Sequence, residues 1–272
     1  MERRTFLKKL LFSSGALLVG SGHLFASNTD DQTIKLLMIY NNIGEMNGYV
    51  NQWGLSLWIE NKNTAVIFDT GGDSSTLWSN IENSGVDIWK LSKIVISHNH
   101  WDHTGGLPFI LEKTNYKPEV LVPEFELDEI KTNNPKAKCT GIKGPHRINE
   151  TLWSTGQLKG STSNGIIHEQ SLIITRNDSI LLFTGCSHPG IVEIVEKTKK
   201  IHPNKKIDLV GGGFHLLQSS EEEIRNYSDK LITLQVNRLA PSHCTGTLAL
   251  DIFKDRWGEK FIDLNNGNIM FL

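Results

Sequence analysis

The chain has 272 residues, 38% hydrophobic and 21% charged, with 28 lysines and arginines against 30 aspartates and glutamates. This balance excludes a collagen-like, low-complexity or largely disordered chain, and three cysteines exclude a disulfide scaffold standing in for a core. A formal charge of −2 argues against nucleic acid as a partner, since phosphate contacts need a basic surface.

The first 26 residues hold four of the basic side chains and one acid, so the rest carries 24 against 29. Their order, Arg3-Arg4-Thr5-Phe6-Leu7-Lys8-Lys9 and then an apolar stretch to Ala26, matches a twin-arginine signal peptide. Ser13, Ser14, Gly15, Gly20, Ser21 and Gly22 dilute that stretch below what a stable membrane span of about 20 apolar residues requires. The expectation is cleavage before Ser27, no stable span afterwards, and a mature protein in the periplasm or secreted.

In chain order, the patterns predict strands over 34–40, 55–60, 64–69, 93–97, 119–122, 166–175, 179–184, 207–210, 261–264 and 269–271. Helices are predicted over 74–83, 107–113, 191–201, 221–235 and 248–257. Asn177-Asp178 marks a hairpin turn, and Ser219-Ser220 followed by Glu221, Glu222 and Glu223 marks a capped helix start. No linker or repeat divides the chain, and two mixed sheets covered by helices satisfy both halves. A single domain is expected over residues 32–272.

The sharpest feature is Ser97-His98-Asn99-His100-Trp101-Asp102-His103-Thr104-Gly105-Gly106, with three histidines and an aspartate inside six residues directly after a predicted strand. On an extended segment His98 and His100 point the same way and suit one metal, while the next turn presents Asp102 and His103 to a second. Imidazole and carboxylate donors suit two divalent ions, zinc first, with iron or manganese compatible.

The run His-x-His-x-Asp-His, followed by Thr104-Gly105-Gly106, resembles the signature of the metallo-β-lactamase fold superfamily. The resemblance spans the mature chain and implies α/β (α+β) architecture, a four-layer αββα sandwich with a dinuclear metal site between the sheets. Phe68-Asp69-Thr70-Gly71-Gly72 is similar to the strand-ending aspartate of that superfamily, which implies that Asp69 orients a ligand histidine. The further segments 183–191, 212–216 and 241–246, in that order, look like the branch containing 7,8-dihydropterin-6-methyl-4-(β-D-ribofuranosyl)aminobenzene 5'-phosphate synthase. Carried over by position, the resemblance implies His188 as the remaining ligand of the first metal and His243 as a ligand of the second. His168 competes with His188, and Cys186 is either a thiolate ligand or a neighbour of the site. His215 is assigned to substrate or proton transfer, with Asp102 orienting the attacking group. Gly211, Gly212 and Gly213 offer backbone N–H groups to an anionic substrate or make a tight turn.

The expected activity is that of a dinuclear metal-dependent hydrolase using a metal-bridged hydroxide on a small ester, lactone or phosphodiester-type substrate. The alternatives are a transferase of the synthase type and a non-catalytic metal-binding sensor of the same fold. His23, His146 and His202 are expected to be ordinary residues, and most of the seven tryptophans core, with Trp101 walling the pocket. Cys186 and Cys244 are expected to lie unpaired at the site and Cys139 to be a distant free thiol.

Overall fold

In the computed structural model, which describes residues 33–44 and 46–272, alternate residues of the first strand face opposite ways. Leu36 and Met38 point into one apolar cluster, and Leu37 and Ile39 into another. This period-two alternation with both faces apolar marks a strand buried on both sides. Six strands follow one another across the first sheet: β1 (Lys35–Tyr40), β2 (Ser56–Glu60), β3 (Ala65–Phe68), β4 (Leu91–Val95), β5 (Glu119–Pro123) and β6 (Lys138–Ile142). The second half supplies β7 (His146–Arg147), β8 (Leu152–Ser154), a separate two-stranded hairpin of β9 (Leu158–Thr162) and β10 (Gly165–Glu169), then β11 (Leu172–Thr175), β12 (Ser179–Thr184), β13 (Lys206–Gly213) and β14 (Arg238–Ser242). The last strand, β15 (Ile269–Phe271), pairs antiparallel with β1 at the edge of the first sheet.

The sheets face each other across one core. Leu57 and Phe68 of the first sheet share a cluster with Leu172, Leu181, Phe183 and Leu209 of the second. On the outer side of the first sheet, Ile67 and Ile94 pack with Leu77 and Ile81 of α1 (Ser74–Ser84) and with Leu107, Ile110 and Leu111. Those last three belong to α3 (Leu107–Lys113), which the four-residue α2 (Trp101–Thr104) precedes; α4 (Leu127–Asn133) adds Ile130. The outer side of the second sheet is covered by α5 (Ile191–Ile201), α6 (Glu221–Thr233) and α7 (Thr247–Trp257) through Ile194, Val195, Ile224, Leu231 and Phe253. The layers therefore run helix, sheet, sheet, helix, the αββα sandwich. The described residues belong to the unit Asp31–Leu272; residues 1–26, where a signal peptide and His23 were placed, lie outside them.

Local signals explain the helix starts. Asp73 caps α1 by accepting from the Thr76 N–H, and Ser220 forms a capping box with Glu223 at the start of α6. Three expectations need correction. The predicted strand 166–175 is two strands in different sheets, because buried Gln170 leaves the ladder to donate to the carbonyls of Ile96 and Leu121 in the first sheet. Residues 261–264 form only a bridge between Phe261 and Leu239. The strand Arg238–Ser242 was masked by Pro241, which is tolerated because β14 is an edge strand.

Candidate metal centre

Every parallel strand that approaches the centre delivers a polar residue just beyond its carboxyl end, where open α/β sheets build their sites. Asp69 follows β3 and His98 follows β4, parallel neighbours in the first sheet. Cys186 and His188 follow β12, His215 follows β13 and His243 follows β14, parallel neighbours in the second. After β4 the chain enters α2 through His100, so that Asp102 and His103 occupy its single turn.

The histidine rings meet in one cluster. Ring centroids are 4.7 Å apart for His98 and His100, 4.6 Å for His98 and His188, and 4.9 Å for His100 and His188. His103 lies 4.2 Å from His98 and 5.1 Å from His243. Three sets of donor atoms emerge, His98 with Cys186 and His188, Asp102 with His103, Cys186 and His243, and Cys186 with His215 and Cys244; within each set all atoms lie inside 4.8 Å of one another, and the first two contain the histidines of the motif. The nitrogens facing inward meet one another or a sulfur, and one of them has no hydrogen bond. Nε2 of His98 faces Nδ1 of His100 at 3.0 Å, and the buried Nε2 of His243 makes no hydrogen bond. An orphaned buried nitrogen among imidazole, carboxylate and thiol donors fits divalent metal binding.

The outward nitrogens of His98, His103, His188 and His243 are held. Asp69 Oδ2 lies 2.7 Å from His103 Nδ1, Ser97 Oγ 2.8 Å from His98 Nδ1, and Asn42 Oδ1 2.8 Å from His243 Nδ1. Such contacts fix ring orientation and leave the opposite nitrogen for the ion. His188 is held by Glu169, whose buried carboxylate also accepts from the backbone N–H groups of Cys186, Ser187 and His188. Sequence reasoning missed Glu169: it acts across 19 residues through a turn, and its only local signal is an acid ending a strand.

Electrostatics follow from burial and pairing. Burial, reinforced by the neighbouring imidazoles, pulls His98 well below its ordinary value, so its ring is neutral. His103 is pushed up to about 9: burial works against this, but the charges of Asp69 and Asp102 outweigh it. Asp102 is lowered in spite of burial by the adjacent imidazoles of His243 and His103. Burial and the neighbouring Cys244 raise the Cys186 thiol, so the metal-free protein keeps it protonated. Four non-glycine residues here, Asp69, Ser187, His215 and His243, adopt positive φ of 52–67°. That strain is held by the surrounding bonds, as at functional sites generally.

Several expectations change. His168 is not brought to the cluster: β10 turns it onto the ring of Phe125, centroids 4.3 Å apart, and His188 takes the place beside His98 and His100. The glycines 211–213 lie within β13, where a Cβ on Gly212 would stand 2.1 Å from the Thr184 carbonyl oxygen, so they serve close strand packing. His215 does stand at the exposed rim, its ring 4.5 Å from that of His188. Among the tryptophans Trp58 and Trp257 are buried, Trp78 and Trp153 are half-buried against the two outer apolar clusters, and Trp53 packs on the ring of His243. Trp101 is 64% exposed. All three cysteines are free, Cys186 and Cys244 buried at the site.

Residues 54–135 match the Metallo-beta-lactamase superfamily model. The chain is 27% identical over 264 residues to the 7,8-dihydropterin-6-methyl-4-(beta-D-ribofuranosyl)-aminobenzene-5'-phosphate synthase of Methanocaldococcus jannaschii, covering 81% of this chain and 90% of that protein. Among solved structures it is similar to Tm1679, a metal-dependent hydrolase of the beta-lactamase superfamily, with TM-score 0.73 and 25% identity over 87% of this chain and 98% of that one. The metallo-beta-lactamase fold protein YhfI from Bacillus subtilis superposes with TM-score 0.64 at 13% identity, over 87% and 99% of the two chains. With the four layers, the strand-end placement of the histidine motif and these likenesses taken together, the chain has the metallo-beta-lactamase fold, and its residues 54–135 match that superfamily.

Proposed function

We propose that this protein is a metal-dependent hydrolase acting on an ester, lactone or phosphodiester bond of a small molecule. The observation that carries the reading is the convergence of His98, His100 and His188 with Asp102, His103 and His243 in one cluster open at His215, with His98, His103, His188 and His243 held from behind. Two divalent ions, zinc foremost for this donor set, would be held by those two triads. Bound there, they supply Lewis acidity toward water and toward a substrate oxygen.

The protein's own groups do the rest. The Asp102 carboxylate, 3.3 Å from His243 Nε2 and 3.6 Å from His103 Nε2, orients the attacking water. His215, on the rim, gives a proton to the departing oxygen. Asp69 and Glu169 keep His103 and His188 in the tautomer that presents the inner nitrogen. The likeness to Tm1679 supports the hydrolase class. The test is metal analysis of the purified protein together with turnover on a panel of esters, lactones and phosphodiesters. Activity on at least one class, lost to a chelator and restored by zinc, iron or manganese, is expected.

A second reading, a transferase of the synthase type, is supported by the relationship to the Methanocaldococcus jannaschii protein. Failure of the fully loaded protein on the whole panel, with formation of product from a reduced pterin and a phosphorylated aromatic ribofuranoside, decides for it. We further propose twin-arginine export of the protein, on the strength of residues 1–26. Among the described residues no helix is long and apolar enough to cross a membrane.

A further inference from the structure

We infer that the thiolate of Cys186 is a ligand common to both metal positions, so that the centre is bridged by sulfur. The inference rests on the metal-dependent reading above and deepens it. Cys186 Sγ is the one donor atom that belongs to both sets, with His98 and His188 on one side and with Asp102, His103 and His243 on the other. It lies 3.2 Å from Nε2 of His103, the nitrogen left for a metal because Asp69 holds Nδ1.

The surrounding chain fixes the sulfur there. Glu169 accepts from the Cys186 N–H, and Ser187, at φ 67°, is tied through its own N–H to Glu169 and through Oγ to the Gly213 carbonyl. Gly185 lets the turn approach the first sheet, since a Cβ there would stand 2.1 Å from Ser97 Oγ. A side chain held this firmly between two donor sets, and buried, has no solvent to serve.

Charge supports the assignment. Asp102 is the only carboxylate in either donor set, because those of Asp69 and Glu169 turn to the far nitrogens of His103 and His188. Two dications among neutral imidazoles and one carboxylate would leave a large uncompensated charge in a buried site. A thiolate offsets part of it and has lone pairs for two ions. On loading, the thiol proton leaves for the buffer, as metal binding to cysteine requires. Cys244 stands outside both of these sets: its sulfur groups with Cys186 and His215 and lies 3.7 Å from the Cys186 carbonyl oxygen.

The test is cobalt substitution of the full chain, comparing wild type with Cys139→Ser, Cys186→Ser and Cys244→Ser. A thiolate-to-cobalt charge-transfer band in the near ultraviolet is expected in wild type, Cys139→Ser and Cys244→Ser. It should vanish in Cys186→Ser, whose cobalt content falls from two per chain toward one while the visible bands of the remaining ion persist. Should Cys186→Ser fail to fold, Cys186→Asp, with a carboxylate able to bridge, is expected to hold two cobalt ions without the band. A wild type that binds cobalt without the band, a wild type that binds no cobalt, or a Cys186→Ser variant that keeps the band overturns the inference. The hydrolase reading fails separately, through absence of turnover on the substrate panel with the band intact.

Discussion

The Asp69 carboxylate lies 2.7 Å from Nδ1 of His103, with both side chains fully buried. Asp69 also accepts from the Ser97 N–H at 2.6 Å and the Ser97 hydroxyl at 2.7 Å, so three donors converge on its two oxygens. In Asp69→Asn an amide nitrogen faces at least one of those donors. His103 then loses its fixed orientation, and metal affinity is expected to fall roughly 10–100-fold. Competition against a chromophoric chelator measures it; unchanged affinity would show that Asp69 only packs.

Glu169 plays the same part for the second sheet with four donors: three backbone N–H groups and His188 Nδ1. Glu169→Gln sets an NH₂ group against buried N–H donors and is expected to cost about 1–3 kcal/mol. The variant should also lose its more weakly held ion at lower chelator concentration. Denaturant melts of metal-free and loaded protein separate the two effects.

Gly185→Ala tests the closeness of the two sheets at the centre. The new methyl would stand 2.1 Å from Ser97 Oγ and 3.1 Å from Asp69 Oδ2, so the Ser97–Asp69 bond must yield. A loss of about 1–3 kcal/mol is expected from overpacking, together with reduced metal content by elemental analysis. Full metal content at wild-type stability would place Gly185 away from any constraint.

Away from the metal, Asp73 gives a pH prediction. Its carboxyl is held below the ordinary range by the Ser75 hydroxyl and by Thr76, whose N–H it accepts at 2.7 Å as the cap of α1. A depressed carboxylate contributes stability above its unfolded value near 4, and that contribution is lost as the pH falls through the folded value. Asp73→Ala should cost about 1 kcal/mol at neutral pH, and Asp73→Asn much less because Asn also caps well. The gap between wild type and Asp73→Ala should narrow in acid melts below pH 4; a constant gap would assign the loss to packing.

Arg3→Lys combined with Arg4→Lys should leave the protein in the cytoplasm, whereas wild type is recovered outside it and begins near Ser27. Fractionation with N-terminal sequencing reads the result. Normal export of the double variant would remove the twin-arginine proposal.

The parts of the site that were legible in the sequence are those whose logic is local. His98, His100, Asp102 and His103 are one strand end and one helical turn, so their spacing encodes their geometry. The layers were legible too, since β12, and β1 as far as Ile39, alternate between two apolar clusters in period two. What spacing left open was settled by backbone breaks. His168 and His188 competed until Gln170 was seen to leave the ladder and β10 to turn His168 toward Phe125. Glu169 was hidden because a carboxylate that gathers N–H groups from a distant turn has no periodicity. Gly212 misled because a glycine needed for approach to another strand looks the same in sequence as one needed for approach to a ligand.

The hydrogen bond between Asn42 and His243 joins residues 201 apart in the chain, and the contact between His103 and Cys186 joins residues 83 apart. Neither half of the chain can assemble the ligand cage alone, because the histidine motif lies in one and Cys186, His188 and His243 in the other. On the proposed metal-dependent reading, ion capture is therefore expected late in maturation, after the two sheets have closed on each other, and not as a nucleus around which the chain collapses. A bound ion would then certify a finished fold.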